Sequence, residues 1–85
     1  MDKAGRARLQ ARIVLVVYRA EMARLARIEI SPADRLEWEN ALQRRSVDLL
    51  DYALANLGGG GPKSHADARR SLTDARTEIV DSGAF

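Results

Sequence analysis

Helix-breaking residues fall at only a few places in this chain, and their positions constrain the fold more than anything else in it. From Arg6 to Ser31 there is neither glycine nor proline. Pro32 follows, and then none occurs until "GGGGP" at 58–62. Two uninterrupted runs of this length are each long enough for a helix of about 40 Å, at 1.5 Å per residue. The flanks "RARLQAR" and "RAEMARLAR" of the first run are strong helix formers. Its β-branched centre, "IVLVVY" at 13–18, has strand propensity of its own. The flanks favour one long helix over about residues 2–28.

The second run opens on Ser31-Pro32-Ala33-Asp34. Ser31 can accept the Asp34 N–H, Asp34 can reach back, and Pro32 at the first helical position loses no needed donor. Asp34, Glu37 and Glu39 suit the positive end of the helix dipole. This helix is predicted over about 32–57, with Gly58 taking a left-handed cap. Two matched helices joined by a few residues specify an antiparallel hairpin. After the glycines, Ser64-His65-Ala66-Asp67 repeats the capping signature, and a third, short helix is predicted over about 65–81, stopped by Gly83.

The sequence thus reads as one all-α domain. It consists of a long hairpin (1–57), a glycine-rich hinge (58–63) and a C-terminal helix with its tail (64–85). "LGGGGPKS" at 57–64 ends like a phosphate-binding loop. However, Pro62 before Lys63 lacks the N–H such a loop donates, and a helix precedes it where a strand is required. Its reading is a cap and a hinge.

Helical periodicity divides the first helix into two apolar stripes. Ala4, Ala7, Ala11, Val14, Tyr18, Met22 and Leu25 form one, whose regular three-four spacing suits the hairpin seam. Leu9, Ile13, Val16 and Ala20 form the other, with Val17 beside them. The second helix has a wide arc containing Trp38, Leu42, Leu49, Ala53 and Leu57, with Leu36, Val47, Leu50 and Leu54. Val16 is expected in an interface and Leu49 in the core. The third helix offers only Ala68, Leu72, Ala75 and Ile79, a stripe narrow enough to predict weak docking, or docking only when a partner is present. One hairpin cannot cover two such arcs. The expectation is a self-associating bundle whose partner-binding residues are Leu9, Ile13, Val16, Ala20, Trp38 and Leu42. The simpler alternative is that the third helix folds back and closes a monomeric three-helix bundle.

Arg8, Arg12 and Arg19 lie in one sector between the two stripes. Such a row can contact nucleic-acid phosphates or an acidic protein, or it can pair with carboxylates of this chain. Residues 1–30 carry seven basic and three acidic side chains, whereas 31–57 carry three and five. A basic helix beside an acidic one is the pattern expected of internal or inter-subunit pairing. Arg44, Asp48 and Asp51 read as a solvated face of the second helix.

Chemistry has little footing here. The absence of cysteine removes disulfides and thiolate metal sites and suits a reducing, cytoplasmic setting. The lone His65 has no second nitrogen ligand, and no paired carboxylates are predicted in a pocket. The apolar run at 13–18 is far shorter than a membrane span. No enzyme activity, cofactor, metal or membrane association is expected. Arginine greatly outnumbers lysine, a bias that hints at a bacterial or phage source. The function these features favour is a small protein-interaction module of adaptor, chaperone or inhibitor type. It would bind itself and another protein through apolar helix faces, with the arginines setting register. The alternative is a DNA- or RNA-binding regulator using Arg6, Arg8, Arg12 and Arg19.

Overall fold

The computed structural model describes residues 2–58 and 61–82, which form three helices: α1 (Lys3–Arg27), α2 (Pro32–Leu57) and α3 (Lys63–Ser82). Each start has a local cause. Asp2 caps α1 by accepting the Gly5 N–H at 2.7 Å, and Ser31 caps α2 by accepting the Asp34 N–H at 3.1 Å. The return bond expected of Asp34 is not made among the described residues. At the end of α1, Arg35 Nη2 donates to the Ile28 carbonyl at 2.8 Å, so the first turn of α2 closes the last turn of α1.

Two predicted caps differ from expectation. Gly58 has φ +72° but ψ −175°, so it lies outside the left-handed helical region, in backbone space open essentially to glycine alone. Its N–H still reaches the Leu54 carbonyl at 3.1 Å. Helix α3 begins two residues earlier than predicted, because the Pro62 carbonyl accepts the His65 N–H at 2.9 Å and the Ala66 N–H at 3.4 Å. Ser64 therefore lies inside the first turn rather than capping it. Gly59 and Gly60, in the middle of the predicted hinge, and Gly83, the predicted stop, lie outside the described residues.

The hairpin is antiparallel as predicted, and α3 folds back into its open side to run alongside α1. The four residues of the α3 stripe, Ala68, Leu72, Ala75 and Ile79, are all buried. The stripe is covered within the chain itself despite its narrowness, because α3 sits between two helices that both face it. On α1 the same core takes in Ala4, Ala7, Ala11, Val14 and Tyr18 of the first stripe, with Met22 packed partly buried against it, while Leu25 is buried beside Trp38 and Leu42 of α2. Leu50, Leu72 and Ile79 are the largest completely buried side chains and come from α2 and α3.

Polar groups fasten the far end of α3. Gln43, on α2 and buried, donates from Nε2 to the Ile79 carbonyl at 3.0 Å and to the Val80 carbonyl at 3.3 Å. These belong to the last turn, where carbonyls have no partner within the helix. Ser82 Oγ donates to the same Ile79 carbonyl at 3.0 Å and lies 3.0 Å from the Tyr18 hydroxyl. A serine hydroxyl has a single proton, so Tyr18 is the donor to Ser82. All three helices thus meet at one end in a satisfied hydrogen-bond cluster.

Candidate functional site

The bundle measures 48 × 22 × 16 Å, too slender for a second layer to cover the outer side of α1. That side carries the second stripe. Leu9, Ile13, Val16 and Ala20 fall within about 60° of arc at 3.6 residues per turn, centred opposite the buried stripe. All four are exposed, and the three large ones are close to half exposed: Leu9 43%, Ile13 51% and Val16 55%. Val17, at 52%, widens the stripe toward α2.

There the surface continues as a groove between α1 and α2, lined by Ile13, Val17, Leu42, Ser46 and Leu49, with Glu21 and Arg45 at its edge. Leu42 divides its surface between this groove and the core. Trp38 lies further along, half exposed in a hollow shared with Glu21, Arg24, Leu25 and Arg45. Leu49 corrects the expectation of a core residue. It is exposed, and the neighbouring Leu50 takes the core position. The arc of α2 is wide enough that spacing alone leaves the two leucines equivalent. Tyr52, one turn on from Leu49, is also exposed and shares a hollow with it and Ala41. It lies outside the set predicted from sequence.

Arg8, Arg12 and Arg19 border the groove on the other side of the stripe, between α1 and α3, together with Ser71, Asp74 and Glu78. Arg19 Nε donates to Glu78 at 2.7 Å. Arg8 and Arg12 have no carboxylate within 4.0 Å among the described residues. The interhelical ion pairs do not run between basic α1 and acidic α2 as expected. Among the described residues Arg19 of α1 pairs with Glu78 of α3, and Asp51 of α2 pairs with Arg76 of α3 at 2.7 Å. The reason is geometric, since the α1–α2 boundary is occupied by the apolar groove. Asp51 thereby leaves the solvated row of α2, while Arg44 and Asp48 remain exposed without a bond to each other among the described residues.

Titration is perturbed at one place on α1. The Arg24 side chain donates to Glu21 at 2.8 Å, and this bond, aided by the guanidinium charge, holds the Glu21 carboxyl below its ordinary value. The same pairing raises Arg24. Both groups are at the surface beside Trp38. Among the described residues no group of three or more His, Cys, Asp or Glu side chains is placed to hold a metal ion, and no helix is long and apolar enough to cross a membrane. A scan against known protein families finds no match, and no curated protein or solved structure matches the chain.

Proposed function

We propose that this chain is a small non-enzymatic protein-interaction module that docks helices of other protein chains along the outer side of α1. The observation that carries the reading is the exposed run Leu9, Ile13, Val16 and Val17, large aliphatic side chains left half in water on the middle of a well-capped helix. Covering the exposed half of each contributes about 1 kcal/mol. Association itself costs at least ~4 kcal/mol, which offsets the contribution of these four side chains, so stable binding requires the partner to bury apolar surface of its own against them. Trp38 and Tyr52 extend the surface with side chains of the kind that anchor interfaces. Among adaptor, chaperone and inhibitor roles, all three use this build.

Recognition of nucleic acid through the α1 arginines is the competing reading. Glu78 and Asp74 sit in the same groove and oppose it, because a phosphate entering there meets two carboxylates as well as Arg8 and Arg12.

The test is capture of partners from host lysate by wild type and by Val16→Asp, with circular dichroism to verify that the variant stays folded. Partners bound by wild type and lost by folded Val16→Asp support the reading. Val16→Asp that retains them all refutes it. Binding that collapses as salt is raised and that depends on Arg8 and Arg12 instead favours nucleic acid.

A further inference from the structure

The exposed stripe of α1 is longer than its apolar part. Asp2, Arg6, Leu9, Ile13, Val16, Ala20, Ala23 and Arg27 follow one another at intervals of four and three without a break, and every one is exposed. This is the seam spacing of a two-helix coil. The order of side chains along it is not random. Turned end over end about the point between Val14 and Leu15, the series maps onto itself. Leu9 then meets Ala20, Ile13 meets Val16, Arg6 meets Ala23, and Asp2 meets Arg27.

We propose that the occupant of this face is a second copy of the same chain, packed antiparallel along α1 in that register. Leu9 and Arg6 each face an alanine, Asp2 faces a base, and the central layers set Ile13 against Val16. A parallel pair would set each residue against itself. Asp2, Arg6 and Arg27 would each meet a like charge, and Ala20 and Ala23 would leave two thin layers. The flank is complementary as well. Arg12, which has no carboxylate within 4.0 Å among the described residues, comes alongside the Arg19–Glu78 pair of the second copy, where Glu78 can be shared between two guanidinium groups. The buried stripe of α1 and its neighbours α2 and α3 point away from the seam, so neither bundle has to open.

This inference rests on the reading of α1 as a docking face, and the experiment separates the two. The chain has no cysteine, so Leu9→Cys and Ala20→Cys each introduce a single thiol at an exposed site. In the antiparallel register residue 9 lies roughly 16 Å along the axis from its own counterpart. A disulfide needs Cβ atoms about 4 Å apart. Mild oxidation of the two variants mixed is expected to give a cross-linked dimer, whereas either alone gives at least tenfold less. Sedimentation equilibrium of wild type is expected to show a monomer–dimer equilibrium, with the dimer weakened at least a hundredfold by Val16→Asp. Equal cross-linking of each variant with itself overturns the register in favour of a parallel pair. A dimer that none of these thiols cross-links overturns the face. A wild type that stays monomeric at hundreds of micromolar overturns the second copy. In that last case, loss of a foreign partner by Val16→Asp leaves the docking reading standing, and retention of that partner removes both.

Discussion

Leu72→Ala tests whether α3 belongs to the fold or merely rests on the hairpin. Leu72 is completely buried at the middle of α3. Replacing a leucine there by alanine removes its transfer energy and leaves a cavity, a loss of about 2–5 kcal/mol. The middle to upper part of that range applies here. The other stripe residues are Ala68, Ala75 and Ile79, and the two alanines have no bulk with which to close the gap. At 0.05–0.15 kcal/mol per residue, a chain of this size has a total stability of roughly 4–13 kcal/mol. One substitution on the shortest helix is therefore expected to remove about a third of the stability or more. Thr73, next in sequence and exposed, supplies the control, since Thr73→Ala is expected to stay within ~0.5 kcal/mol of wild type. Urea unfolding followed by circular dichroism, with both variants at low micromolar concentration, measures the difference. If Leu72→Ala shifts the midpoint no more than Thr73→Ala, the packing of α3 contributes nothing in solution. A midpoint left in place with helical signal lost in proportion to the 20 residues of α3 would mean that only α3 had come away.

Gln43→Leu removes both bonds to the last turn of α3 and is expected to cost about 1 kcal/mol, because Ser82 still serves the Ile79 carbonyl. Gln43→Glu is expected to cost more at neutral pH, since a carboxylate would face carbonyls with no N–H to offer. Urea midpoints rank the two, and the reverse order refutes the capping role. Gly58→Ala is expected to cost about 1–3 kcal/mol from backbone strain alone: φ is +72° and nothing lies within 4 Å of where the Cβ would stand. A thermal midpoint equal to wild type would contradict that. Glu21 is more acidic folded than unfolded, so its pairing with Arg24 favours the fold above the unfolded carboxyl value of 4.5 and is lost as pH falls through the lower, folded value. An NMR titration is expected to place the Glu21 midpoint below 4.5 and to return it there in Arg24→Gln. For an exposed pair the effect on overall stability is small.

Local signals account for what was legible without tertiary structure. Asp2, Ser31 and Pro32 act within a turn of themselves, and a glycine run stops a helix whatever surrounds it. The element boundaries of α1 and α2 and the antiparallel hairpin were therefore written in the sequence, as was the separation of α1 into two stripes. Which stripe would be buried was suggested by its regular spacing, and Ala4 through Leu25 do lie in the core. Three things waited for the fold. Leu49 and Leu50 are adjacent on an arc wide enough to accept either, and only the positions of α1 and α3 together turn Leu50 inward. Gln43 looks from its type like a surface residue, and its burial makes sense only once the end of α3 arrives beside it with unpaired carbonyls. Above all, the narrow stripe of α3 says nothing about how firmly it docks. Burial depends on how many neighbours converge on a stripe as well as on its width, and that number is a property of the three helices assembled, not of any one of them.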